Sequence, residues 1–454
     1  MSTTYLILIV VSAVAVLLFL VLKLKISAFV SLLIASIFVG VMAGMPLNSI
    51  IESIQNGMGG TLGFVATVVG LGAIFGQMLE SSGGAVALAH TLINKFGERK
   101  APVAMMLTGF IVAIPVFFDV GFIILVPIIY ALSRDTKKSL LFYGIPLLAG
   151  LAVAHSFIPP TPGPVAVADI IGAQLGWVIL LGIILGLPVA ILAGPVWGSY
   201  ISKKIMVLPP DEEPDSLLEV SSTNIKEPPS FQLIAALIGI PLFLILLNTL
   251  TGVLVSKEIL VASIFTEIIS FLGHPFSALI IATLMAIYFL CIRRGMPKKT
   301  ILDLSTKALG PAGIIILITG AGGVFKQVLI DSGIGKILAE SLAGSAMSPI
   351  LLAWILAAVV RVTQGSATVA MITAAGIMAP LLTELALSDQ HLALVVLSIA
   401  SGATLLSHVN DSGFWLVGKY LRLNEKQTLQ SWTVMESIIA VSGLVLTLLA
   451  SLVV

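Results

Sequence analysis

The sequence predicts an all-α polytopic membrane protein built as two inverted repeats, each of about five transmembrane helices, a re-entrant hairpin and one interrupted helix. Three observations carry that reading. Of the 454 residues 58% are hydrophobic and 10% charged, against about 45–50% and about 25% in soluble proteins. Runs such as 5–22, 26–45 and 231–255 hold no charge and are long enough to cross the hydrocarbon of a bilayer. Finally, segment 70–89 recurs at 320–339, with Gly70/Gly320, Gly72/Gly322, Phe75/Phe325, Gln77/Gln327, Leu79/Leu329, Ser82/Ser332, Gly83/Gly333, Leu88/Leu338 and Ala89/Ala339 identical.

With 22 acidic and 23 basic residues the net charge is +1, so no basic surface points to nucleic acid. A single cysteine, Cys291, excludes an internal disulfide. Residues 1–22 lack the basic start and small-residue cleavage site of a signal peptide. The first cations, Lys23 and Lys25, follow the apolar run, which suggests an uncleaved helix with its amino terminus outside.

The first repeat is expected over 1–206, with spans at about 5–22, 26–45, 61–80 and 176–200. Cations cluster at Lys23 and Lys25, at Lys95, Arg99 and Lys100, at Arg134, Lys137 and Lys138, and at Lys203 and Lys204. The positive-inside rule makes those loops cytoplasmic. The segment between Lys100 and Arg134 must then leave and re-enter on one side, so 101–132 reads as a hairpin entered from the cytoplasm, its tip carrying Pro115, Asp119 and Gly121. The helix over 139–173 is interrupted at Pro159, Pro160, Pro162 and Pro164, because proline removes backbone donors and clashes with the preceding turn.

Residues 207–230 combine five prolines with six acids and read as a flexible cytoplasmic linker. The second repeat, 231–454, restarts with spans at about 231–253, 275–292 and 311–330, then a hairpin over 349–384, a broken helix over 391–421 and a last span over 430–454. Arg293, Arg294, Lys298 and Lys299, then Lys419, Arg422 and Lys426, mark two more cytoplasmic loops. The ends of 349–384 carry no cation cluster, so this hairpin is expected to enter from outside, with its tip at 363–368. Both termini then lie outside.

Opposite hairpin sidedness makes the repeats inverted. Inverted repeats with one interrupted helix each are a mark of secondary transporters, whose site lies at the midplane where the interruptions meet. Unwound backbone there must be satisfied by protein, water, ion or substrate. Helix starts after the tips favour an anionic group. Gly163, Gly365 and Gly413 allow close approach to backbone, and the hydroxyls of Thr161, Thr363, Ser366, Thr368 and Ser412 suit a polyhydroxylated ligand.

Asp119, Arg361 and Asp411 are ionisable residues in apolar segments, where a charge is costly and faces a pathway or a partner. Arg361 can bind a carboxylate bidentately, or pair structurally with Asp119 or Asp411. Either acid can carry a coupling proton or neutralise Arg361. His155 and His408 precede the two breaks at matching places and either couple protons or bond a backbone carbonyl. Sodium coupling through Asn410, Asp411 and free carbonyls is the less favoured transporter alternative. An enzyme using Asp119 and Asp411 as a carboxylate pair is set aside because the repeat accounts for both positions. No P-loop, zinc motif or cysteine pair occurs, so no cofactor or metal is expected.

These residues carry strings that resemble the gluconate:proton symporter (gluconate permease) family over essentially the whole chain. They are Gly59-Gly60-Thr61-Leu62-Gly63, Phe118-Asp119-Val120-Gly121-Phe122, Pro159-Pro160-Thr161-Pro162-Gly163-Pro164, Gly320-Ala321-Gly322-Gly323-Val324-Phe325, Gln364-Gly365-Ser366-Ala367-Thr368-Val369-Ala370 and Ser407-His408-Val409-Asn410-Asp411-Ser412-Gly413-Phe414-Trp415. The resemblance implies uptake of gluconate or a related sugar acid with a proton across a bacterial inner membrane, in a fold similar to the ion-transporter superfamily with its elevator motion. Related members take D-serine or fructuronate, and a homodimer is left open. Substrate contacts are expected from Asp119, Gly121, Thr161, Gly163, Arg361, Thr363, Gln364, Gly365, Ser366, Thr368, Asn410, Ser412 and Gly413. Thr161 departs from the pattern, which leads one to expect His between Pro160 and Pro162.

Overall fold

The computed structural model describes residues 3–97, 100–209, 228–334 and 347–454, and every regular element among them is helical. Eight helical stretches of these residues are long and apolar enough to cross a bilayer. Backbone polarity explains the class: in lipid each N–H and C=O needs an internal partner, which a helix supplies within itself.

The first half contains α1 (Thr3–Leu22), α2 (Ala28–Met42), α3 (Leu47–Ser81) and α4 (Gly84–Phe96). The hairpin arms follow as α5 (Ala101–Val112) and α6 (Phe118–Thr136), then α7 (Leu140–Phe157), α8 (Pro162–Ile171), α9 (Leu175–Ile191) and α10 (Trp197–Lys204). A π-helical turn at Leu192–Val196, containing Pro195, joins the last two. Helix α3 starts well before the span expected at 61–80. Its buried stripe, Ile50, Ser53, Gly57, Thr61, Val65 and Val68, keeps helical spacing from the amphipathic start into the apolar part. Helix α4, which the sequence reading did not foresee, begins after Gly83 turns the chain at φ 76°.

The second half contains α11 (Phe231–Ser256), α12 (Ile264–Gly273), α13 (Pro275–Ala286) and α14 (Lys298–Asp331). Hairpin arms α15 (Pro349–Gln364) and α16 (Ala367–Leu385) precede α17 (Asp389–Gly402), α18 (Ser412–Tyr420), α19 (Glu425–Thr428) and α20 (Val434–Ala450). Helix α14 continues through Pro311 rather than starting there, and it packs against α3 on both sides of the proline, at Leu309 and at Gly323. Of the linker expected at 207–230, residues 210–227 lie outside the described residues, as do Arg99, Leu338 and Ala339.

Helix starts correspond across the halves: Leu47 with Lys298, Ala101 with Pro349, Phe118 with Ala367, Leu140 with Asp389, Pro162 with Ser412, and Leu175 with Glu425. The equivalent helices α3 and α14 pack antiparallel. Ser53 donates to Asp331 at 2.6 Å, Gly57 faces Gly323, and Gly70 faces Leu309. A Cβ on Gly57 would stand 2.7 Å from the Gly323 carbonyl oxygen, so the helices meet backbone to backbone, as small residues permit in membranes. Each hairpin repeats that device against its broken helix. Gly109 and Gly150 bring α5 onto α7, and Gly402 brings α17 onto Trp354 and Ala357 of α15.

Burial separates centre from periphery. In its most apolar window the segment containing α7 and α8 is 89% buried, whereas α11 is 33% buried. The hairpins and broken helices therefore occupy the middle, and α11 presents its surface outward.

Candidate functional site

Both hairpin tips, the second break and the end of α7 before the first break contribute to one region. The first hairpin turns at 113–117 around Pro115, which places Asp119 in the opening turn of α6 rather than in the turn itself. The second turns at Gly365, whose φ of 88° suits a residue without Cβ. Ser366 then caps α16, accepting from the Val369 amide at 3.4 Å.

The second break, 403–411, is pinned to the second tip. Asn410 Nδ2 donates to the Val362 carbonyl at 3.1 Å, and His408 Nε2 lies 3.0 Å from the same oxygen. Asp411 caps α18 through Oδ1, which accepts from the Gly413 amide at 3.1 Å. Its Oδ2 accepts from Arg361 Nη2 at 2.5 Å and from the Ser407 hydroxyl. Trp432 Nε1 in turn donates to Ser407 Oγ at 2.7 Å.

A cavity of about 580 Å³ opens between these elements, within the ~300–1,000 Å³ range of small-molecule sites. Asp119, Arg361, Gln364, Gly365, Ser366, Thr368, Asn410, Ser412 and Gly413 all border it, with Asp411 and His155. Phe118, 5.5 Å from Trp432, forms an aromatic wall. Arg361 is 3% exposed, and its Nε and Nη1 have no hydrogen-bond partner among the described residues. A buried guanidinium with unused donors is equipped to take an anionic oxygen pair. The Asp119 carboxyl faces the cavity without a hydrogen bond from any described residue.

Other expected contacts lie off the cavity lining. Thr363 turns its hydroxyl back to the Val359 and Val360 carbonyls at 2.8 and 3.0 Å, as a threonine in a last helical turn commonly does. Thr161 is buried and donates to the Ile158 carbonyl at 2.6 Å, closing the break on itself. Gly163 packs on Met371, and Gly121 on Leu151 and Val112, so both serve helix contact. His408 takes the carbonyl-bonding alternative. His155 instead reaches the cavity, with Nδ1 buried and unpartnered and its ring 6.2 Å from Phe117.

Glu436 went unnoticed in the sequence, although it borders the cavity at 4% exposure. It is the one acid in 430–454, so the criterion that selected Asp119, Arg361 and Asp411 applied equally to it. Among the described residues, no group of three or more His, Cys, Asp or Glu side chains is set to hold a metal ion.

Residues 5–453 match the model of the GntP family permeases. The chain is 41% identical to the low-affinity gluconate transporter of Escherichia coli (strain K12) over 452 residues, 99% of each chain. It is 37% identical over 438 residues to the Gnt-II system L-idonate transporter of the same organism, covering 96% of this chain and 97% of the other. The solved YdaH transporter of Alcanivorax borkumensis, described as having an unusual topology, superposes with a TM-score of 0.62 over 88% of each chain at 13% identity, a likeness of fold.

Proposed function

Because the chain belongs to the GntP family of permeases and is a multi-pass membrane protein, we propose that it imports gluconate or a closely related sugar acid by proton symport across a bacterial inner membrane. The observation that carries this reading is the buried Arg361 guanidinium, which borders a cavity lined by hydroxyls and has two nitrogens without a partner among the described residues. The substrate carboxylate accepts charge-assisted hydrogen bonds from the unused guanidinium nitrogens. Asp119, Asn410, Ser366, Thr368 and Ser412 bond the chain of hydroxyls. The names of the gluconate and L-idonate relatives support a polyhydroxylated acid.

Charge balance supports the proton. Three carboxyls, Asp119, Asp411 and Glu436, border the cavity with one guanidinium, so an entering anion is repelled unless a proton accompanies it. The antiparallel pairing of α3 with α14 supports inverted repeats, with both termini periplasmic. In this reading the buried hairpins and broken helices move as an elevator against the outer helices.

The test is uptake of labelled gluconate into proteoliposomes under an inward proton gradient, with sodium replaced by choline. Accumulation that needs the pH gradient and ignores sodium supports the proposal. Accumulation that follows sodium at fixed pH refutes proton coupling, and no uptake of gluconate, L-idonate or related acids refutes the substrate class.

A further inference from the structure

Glu436 stands near the start of α20, 4% exposed, with Oε1 buried and without a donor among the described residues. It lies within electrostatic reach of Arg361 and Asp411. The titratable and charged groups sharing its cavity are Asp119 from α6, His155 from α7, Arg361 from α15 and Asp411 at the start of α18.

The three carboxyls differ in what surrounds them. Asp411 accepts from Arg361, Ser407 and the Gly413 amide, contacts that all use it as an acceptor and that also hold the break together. Asp119 is open to the cavity, where water or a substrate hydroxyl can solvate it. Of the three, Glu436 combines burial with an oxygen to which no described residue donates. A buried carboxylate without donors is the costly form, and a proton removes that cost.

Resting on the proton-symport reading above, we infer that Glu436 is the residue that carries the coupling proton. Glu436 takes one proton from hydronium on the side from which the sugar acid enters, its new O–H bond replacing one hydronium O–H bond and leaving water. It returns that proton on the other side as the anion leaves. With Glu436 neutral, Arg361 is released from its field and both unused guanidinium nitrogens are left to the substrate carboxylate. Asp411 meanwhile keeps its pair and its cap. Binding of anion and proton are thereby linked, each raising the affinity for the other.

The experiment uses the full chain in proteoliposomes with an internal pH dye and labelled gluconate. Wild-type protein is expected to acidify the lumen as gluconate enters. Its absence in wild type would sink proton symport and the role of Glu436 with it. In Glu436→Gln, acidification per gluconate is expected to fall at least about tenfold while gluconate exchange between equal pools persists. Acidification at the wild-type ratio in that variant would overturn the role of Glu436 alone.

Should Glu436→Gln fail to exchange, detergent-solubilised protein decides by direct gluconate binding. Wild-type affinity is expected to fall roughly tenfold per pH unit above the titration of the carrier. Affinity in Glu436→Gln is expected to be flat with pH, and Glu436→Asp should restore the slope. If neither variant binds gluconate, or if the slope survives in Glu436→Gln, Glu436 merely braces Arg361 and the inference is wrong.

Discussion

Arg361 Nη2 donates to Asp411 Oδ2 at 2.5 Å, with the two side chains 3% and 14% exposed. This ion pair ties the last turn of α15 to the first turn of α18, so the second hairpin tip and the second break are held as one piece. Asp411 has its oxygens engaged by three donors, whereas Arg361 Nε and Nη1 have no partner among the described residues. The pair is thus asymmetric, and ligand chemistry falls to the arginine.

Arg361→Ala is expected to lower gluconate affinity by about 100-fold, the loss of two charge-assisted hydrogen bonds. Arg361→Lys keeps the charge but not the planar set of donors, and should still lose about tenfold. Binding to protein whose membrane insertion matches wild type is the measurement. Affinity unchanged in both variants would remove Arg361 from the substrate site.

Asp411 separates two structural roles. Asn remains a good helix cap, so Asp411→Asn keeps the cap while removing the ion pair, and should cost about 3 kcal/mol by stranding a buried guanidinium. Asp411→Ala also deletes the cap on α18 and should cost about 1 kcal/mol more. Thermal unfolding in detergent should rank wild type above Asn and Asn above Ala. Equal midpoints for Asn and Ala would show that the cap contributes nothing.

Gly365 adopts φ 88°, and a Cβ there would collide with the Asn410 carbonyl. Gly365→Ala should therefore push the hairpin tip off the second break and reduce uptake at least tenfold. Gly59, exposed on α3 with nothing within 4 Å of a built Cβ, is the contrast. Gly59→Ala should leave uptake unchanged and favour the helix by up to about 1 kcal/mol. Comparable loss in both would mean that glycine content, not this contact, is what matters.

Thr161 tests the departure from the family pattern. It donates to Ile158 across the first break and borders a void of about 10 Å³ with Pro115, Pro160 and Pro162, not the main cavity. Thr161→Ser keeps that bond, so a competition panel of gluconate, L-idonate, fructuronate and D-serine should give an unchanged order. Thr161→His adds a ring where there is room for about one water, and should reduce folded yield. A changed substrate order in Thr161→Ser would place this residue back in the site.

Much of the architecture is legible without coordinates because it rests on local chemistry. Prolines at 159–164 forbid continuous helix, Gly365 and Ser366 provide a turn and a cap, and Asp119, Arg361 and Asp411 stand out against apolar surroundings. Helix lengths were less legible. Helix α3 starts at Leu47 and α14 runs through Pro311, and the two pack where Gly57 meets the backbone of Gly323, far apart in the chain. Thr161, Thr363 and His408 had the right chemistry at the right place, yet each satisfies a nearby carbonyl, because a buried polar group bonds the partner within reach first.

Composition and pattern by themselves determined that this chain spans a membrane, where its helices break, and which few charges lie inside. Only the tertiary structure decided how those charges are shared. It gave Asp411 to Arg361, left Asp119 to the cavity, and brought in Glu436 from the last span. The physical reason is range. Helix breaks follow from residues a turn apart, whereas charge pairing inside a membrane follows from which segments the fold brings within hydrogen-bond distance.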